Sequence, residues 1–307
     1  SSISFNINTD TIAPSINITN PTVNNSNTTD TGLDINFTVS DETALGECWY
    51  SNDTYSVNRS TGGCGINITN ITWSEGNHNI TIYVNDSSNN VNRSSISFRI
   101  DTTAPTIAYG VVTTNDSTNK SDNSVFINVS VSDAGVGVQA IQFNLFFTNG
   151  TVANRTVFTN GSSWINYTSL IDEDYHFNVT VNDTLNNKDS TGTRAVTIDT
   201  TAPVVTFNAQ TPADNTNQSN TNIYVNVSVT EVNEINITFR IYYSNGSLLN
   251  STTYTDQTRS INFTSLSDNT YEFNVTVVDN VSNKGTSGTR SVTVDTVFPT
   301  INITNPT

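Results

Sequence analysis

Asparagine followed two positions later by serine or threonine is the chemical feature this sequence repeats most. With any residue but proline in the middle, N-x-S/T is the acceptor triplet for N-linked glycosylation. The chain carries 29 of them. Eleven stand at Asn17, Asn24, Asn27, Asn36, Asn52, Asn58, Asn67, Asn70, Asn79, Asn85 and Asn92. Nine follow at Asn115, Asn119, Asn128, Asn149, Asn154, Asn160, Asn166, Asn178 and Asn182. Eight more are Asn217, Asn226, Asn236, Asn245, Asn250, Asn262, Asn274 and Asn280, and Asn302 is the last. Chance placement at this composition gives about 13 or 14, so the excess is about twofold. Many lie in alternating stretches such as INFT, INVS, FNVT and INIT. Residues i and i+2 of a strand share a face, so Asn and its hydroxyl partner turn to solvent while their neighbours turn inward. The reading is a β-protein with glycans on its sheets; a bare Asn/Thr-rich face is the plainer alternative. Neighbouring acceptors such as Asn24 and Asn27, or Asn67 and Asn70, crowd each other.

Cys48 and Cys64 are the two cysteines. A lone pair in an acidic, lysine-poor chain reads as a disulfide made in an oxidising compartment, against two free thiols in a core. A metal site there lacks its other two ligands. No catalytic residues are nominated. The two histidines, His78 and His176, lie beside strand patterns, and G-x-S-x-G, phosphate-loop and HExxH motifs are missing. Asp172, Glu173 and Asp174 could seat a paired-carboxylate hydrolase, but an exposed turn explains them better.

These groups are positioned by a repeated architecture. The phrase DTIAP at Asp10–Pro14 recurs as DTTAP at Asp101–Pro105 and Asp199–Pro203, and as DTVFP at Asp295–Pro299. The spacings are 91, 98 and 96 residues, the size of a small β-sandwich. Each phrase sits between alternating strands and reads as a linker. Apolar residues make up 34 % and charged residues 12 % of the chain, with no Met. Ile and Val dominate, so the chain should be nearly all β. The net charge of −16, with 11 basic residues, repels nucleic acid. No apolar stretch is long enough to span a bilayer.

The expected organisation is a last strand of a preceding repeat at 1–8 and domains at 9–100, 101–198 and 199–294. A first strand of a following repeat closes the chain at 295–307. SSISFNI at residues 1–7 nearly matches SSISFRI at 94–100, and INITNPT occurs at both 16–22 and 301–307. Within a unit of about 95 residues, seven short alternating strands are the pattern of an immunoglobulin-like sandwich. SVFINVSVSD is expected to pair with AIQFNLFF. Asn149-Gly150 and Asn245-Gly246 are expected hairpin turns, and INITNITW is expected to be a strand. Tyr175 and Tyr271 fit tyrosine corners, His78 takes that place in the first unit, and Trp49 fits a core position. Trp73, Trp164 and the Tyr242–Tyr243 pair fit core or half-buried positions.

In such a sandwich the incoming linker, the loop after the second strand and the loop after the sixth share one end. Those places hold Asp10, Asp41 and Asp86; then Asp101, Asp133 and Asp183; then Asp199, Glu231 and Asp279. Three converging carboxylates suit calcium, a cation that takes several oxygen ligands. The plainer reading is Asp bonding its own turn backbone.

The DTTAP linker is paired with a V-N-D-x-x-x-N turn, at Val84–Asn90 and Val181–Asn187, with VVDNVSN at Val277–Asn283. Together they resemble the tandem Ig-like repeats of bacterial and archaeal surface proteins. CWYSNDTY and WSEGNHNITIYVND in the first unit are similar to Cys-containing Ig-like modules of archaeal cell-surface proteins. The resemblance spans the chain and implies tandem Ig-like domains outside the cell. It implies no particular activity; no cofactor is expected to be required, and calcium at the domain junctions is the one candidate, from the acidic groups above. The functional expectation is a non-enzymatic, N-glycosylated fibre, filament or stalk. Its partners are copies of itself end to end, in a covalent array or by terminal-strand complementation. Three domains in line give a rod of roughly 100 Å or more. The competing expectation is an adhesin that binds carbohydrate or a partner cell through its loops.

Overall fold

A computed structural model of the chain describes residues 10–53 and 58–302. The preceding-repeat strand expected at 1–8 lies outside the described residues, as do 303–307 of the following one. Residues 295–302 form no strand. Among the described residues there is no helix, and three separate cores form.

The second sandwich shows the plan. One sheet has three strands, in the order Trp164–Tyr167, Val125–Ser132, Thr106–Tyr109. The other runs Val152–Phe158, Val138–Phe147, Glu173–Asp183, Arg194–Ile198, Thr118–Lys120. Neighbours are antiparallel except the last pair, Thr118–Lys120 beside Arg194–Ile198, which is parallel. The third sandwich repeats this topology strand for strand, with Thr216–Gln218 as its parallel edge. The first has a two-stranded sheet, Ser15–Asn20 with Asn36–Ser40, facing a five-stranded one. The chain is a tandem array of immunoglobulin-like sandwiches.

The strand Glu173–Asp183 explains why this sequence folds so. Tyr175, Phe177, Val179, Val181 and Asp183 all point inward, and His176, Asn178, Thr180 and Asn182 turn toward solvent. Period-two alternation dictates this. It also carries the last residue, an aspartate, onto the core side at the sandwich pole. His78–Asp86 and Tyr271–Asp279 do the same. The corners close as expected: Tyr175 donates to the Ile171 carbonyl at 3.1 Å and Tyr271 to that of Ser267 at 2.9 Å. His78 takes over this task, with Nε2 lying 2.7 Å from the Ser74 carbonyl, also four residues back. The Asn-Gly turns form, with Gly150 and Gly246 at φ 83° and 81°.

Four expectations are corrected. SVFINVSVSD does not pair with AIQFNLFF; the two strands lie in opposite sheets. Residues 133–137 carry the chain across the core, so these strands meet through side chains rather than backbone. INITNITW is not a strand. Positive φ at Gly65 and Asn70 breaks it, leaving a single bridge between Ile35 and Ile68. Trp49 faces outward and stacks on Tyr83 at 5.5 Å, because Cys48 and Tyr50 take the inward phase; Trp73 is the core tryptophan. Trp164 is neither core nor half-buried but 55 % exposed.

Candidate functional site

The structure brings together all nine acidic residues singled out by position. Asp10, Asp41 and Asp86 form one group, Asp101, Asp133 and Asp183 a second, and Asp199, Glu231 and Asp279 a third. In each, one carboxylate oxygen per residue lies within 4.8 Å of the others. The first member enters on the linker, the second follows the strand that comes after the short parallel edge, and the third ends the inward face of the long strand. Asp86, Asp101, Asp183 and Asp279 are buried.

The D-x-x-x-N turn is built on the buried carboxylate. Asp183 Oδ1 accepts from the N–H groups of Leu185 and Asn187 at 2.8 and 2.9 Å. Asp86 Oδ1 accepts from Ser88 and Asn90, and Asp279 Oδ1 from Val281 and Asn283. Asn90 and Asn187 also donate Nδ2 to the second oxygen of their aspartate, at 2.7 Å in each case. Burial is the largest effect on Asp86 and pushes its carboxyl up. The donors from Asn90 and Ser88, with Asp10 beside them, more than offset it and hold the group below the usual carboxylate range.

The third group departs from this pattern. Asn283 Nδ2 turns to the carbonyls of Asp199 and Thr201, at 3.0 and 3.3 Å. Asp279 Oδ2 is left buried with no hydrogen-bond partner, and Asp41 Oδ1 is likewise unpartnered in the first group. A buried carboxylate oxygen without a donor is costly. Among the described residues, none of the nine acids is in an ion pair. The donor set, hard oxygens on three backbone segments at this spacing, fits a calcium ion, whose oxygen ligands sit 2.3–2.6 Å away.

The same linker residues are tied into both neighbouring sandwiches. Asp101 N–H donates to the Thr28 carbonyl of the first sandwich at 3.0 Å, extending its parallel edge. Its own carbonyl accepts from Asn187 of the second at 3.1 Å. Its Oδ2 accepts from Val136 N–H at 2.7 Å. Asp199 is held alike, by Lys120 behind and Asn283 ahead. An acid in the loop before the long strand grips the next linker's threonine. Glu75 accepts from Thr102 N–H and Oγ1, Asp172 from Thr200 and Thr201, and Asp268 from Thr296. The Thr201 hydroxyl, then the Thr200 donors, hold Asp172 below the ordinary carboxylate range. Arg99 adds a bond to the Ala134 carbonyl at 2.9 Å across the first junction. Sequence reasoning missed Glu75, Asp172 and Asp268 as linker contacts. Their signal was an acid recurring 27 or 28 residues before each linker threonine.

Cys48 and Cys64 are joined, 16 residues apart, with Cys48 buried. None of the 29 acceptor asparagines is buried. Asn79, Asn178, Asn182 and Asn226 are half-buried and donate Nδ2 to Ser97, Thr193, Gln139 and Gln210. Asn166, Asn250 and Asn262 are exposed. Thr54, which completes the Asn52 triplet, lies outside the described residues.

The chain matches no protein-family model and no curated protein. Solved structures similar to it include the fibronectin(III)-like modules of Clostridium thermocellum CbhA. That match has 10 % identity, 65 % of this chain and 100 % of that one covered, and a TM-score of 0.33. A tetra-tandem repeat in the extending region of a large adhesion protein is also similar (16 % identity, 93 % and 75 % covered, TM-score 0.38). So are domains A168–A170 of titin (10 %, 91 % and 97 %, 0.35).

Proposed function

We propose that this chain is a structural segment of an extracellular, N-glycosylated repeat protein, in which sandwiches in series form a surface fibre, filament or stalk. The observation that carries the reading is the linker aspartate held by both its neighbours: Asp101 by Thr28 and Asn187, and Asp199 by Lys120 and Asn283. A hinge would use Gly and Ser. These linkers use Asp, Thr and Pro, and Asp101, Thr102, Asp199, Thr200 and Thr201 are each hydrogen-bonded to a neighbouring sandwich. Calcium at the three acidic groups adds stiffness by tying each linker to the sandwich it enters. Glycans on the outer faces hide exposed strand edges, a task that lysine often performs elsewhere and that this lysine-poor chain leaves open. Copies of the chain are the partners, joined covalently or by strand addition.

Small-angle scattering of the three-sandwich chain tests this. A rod of about 100 Å whose profile sharpens on adding calcium and blurs with EDTA is expected. The profile of a chain flexing freely at residues 101–105 and 199–203 overturns it. The mass of native polypeptide after chemical deglycosylation separates the two modes of joining. A value near 33.3 kDa means assembled subunits, and a several-fold larger one means a covalent array.

A further inference from the structure

The three-stranded sheet of the second sandwich carries two outward aromatics. Phe126 and Trp164 stack with ring centroids 5.9 Å apart and planes 27° from parallel. The fold does not require this. The third sandwich has the same strands in the same register with Ser260 at the place of Trp164, paired with Asn226 as Trp164 is with Asn128. An outward tryptophan 55 % exposed has no core to fill.

What lies beside the pair is an acceptor asparagine. Asn166 directly faces Phe126 across the strands and follows Trp164 by two residues, so all three side chains share one face. Asn166 is exposed and its amide makes no hydrogen bond to any described residue. Asn128, the other acceptor in the patch, is half-buried and packs against Gly110, where a Cβ would stand 2.6 Å from its Oδ1. The arrangement recurs once in simpler form: Tyr224, 38 % exposed, directly faces the exposed acceptor Asn262.

We propose that Asn166 is a glycosylated residue and that Trp164 and Phe126 form the platform on which its first sugar lies. This rests on the glycosylation reading above and goes further by assigning one site and its contact. A pyranose ring presents C–H groups on its face, and an aromatic ring offers an electron-rich face of matching size. A sugar attached at Asn166 starts within reach of both rings, so covering them costs only the ordering of the Asn side chain and the linkage.

The test uses the full chain from the organism that makes it. Glycopeptide mass spectrometry should find Asn166 occupied. The Asn166→Gln variant should then lower Tm by about 4 °C, and by less than about 1 °C in a chain already carrying Trp164→Thr and Phe126→Thr. Both aromatics point outward, so that background keeps its core. A bare Asn166 with other acceptors occupied overturns this inference alone. Bare asparagines throughout overturn the glycosylation reading with it. Equal losses of Tm in the two backgrounds also overturn it. So does binding of free saccharide to the patch by chain bearing a bare Asn166, which would assign the rings to a sugar on another molecule.

Discussion

Asn187 donates through Nδ2 to the main-chain carbonyl of Asp101, 3.1 Å away across 86 positions of sequence. The same nitrogen donates to Asp183 Oδ2 at 2.7 Å. One amide therefore joins the turn ending the long strand to the linker that enters the same sandwich. Because Asp101 N–H is held by Thr28 of the preceding sandwich, the aspartate is shared between two folded units. At the next junction Asn283 repeats the bond to the linker carbonyl, that of Asp199, but not the bond to its own aspartate.

Replacing Asn187 by alanine removes both bonds and leaves Asp183 Oδ2 buried without its donor. The second sandwich should lose about 1–3 kcal/mol. Hydrogen exchange at residues 101–105 should rise before exchange in the core strands does. Unchanged linker protection would show that Pro and Thr alone hold the junction.

The disulfide acts on one unit only. Cys48–Cys64 closes a 16-residue separation, worth about 3 kcal/mol in the chain-entropy account. Cys48→Ser with Cys64→Ser should lower the first sandwich's calorimetric transition and leave the other two in place. A shift in all three would mean that the sandwiches unfold as one.

Much of this was legible because of parity. Once the long strand is placed, Tyr175 on the core face forces Asp183 onto it eight residues later, and the polar group of acids follows. The linker grips of Glu75, Asp172 and Asp268 were not legible. They depend on where a loop of one sandwich ends relative to the next, and no strand periodicity encodes that. Trp49 was misread because a register shift between Leu45 and Cys48 resets the phase of its strand, giving the core to Tyr50. The short parallel edges, Ser26–Thr28 and its equivalents, escaped notice because three polar residues carry no alternation.

Acid should loosen the second junction through Asp172. Its folded pKa lies below the ordinary value of 3.8, so its stabilising effect is complete above that value. The effect is lost as pH falls through the lower folded pKa. Linker exchange at Thr200 and Thr201 should therefore rise only below about pH 4. Asp172→Asn should show raised exchange at neutral pH and no further acid step from this site. An acid step preserved in the variant would assign the effect to other carboxylates.

The sharpest test of the acidic groups is Asp279→Asn, because the sign of its effect depends on a cation. Without one, Asp279 Oδ2 is a buried, unpartnered oxygen close to the carboxylates of Asp199 and Glu231. Removing its charge relieves repulsion and desolvation, so the variant should be at least as stable as the parent in EDTA. With calcium at a hundred times its Kd, the parent should gain about 2.7 kcal/mol per site, and the variant should lose the share of the third group. Thermal unfolding of both chains with calcium and with EDTA gives the four values needed. Crossing of the two stabilities between the conditions would establish the third group as a calcium site. A variant less stable by the same margin in both would instead make Asp279 a purely structural anchor for the Val281–Asn283 turn.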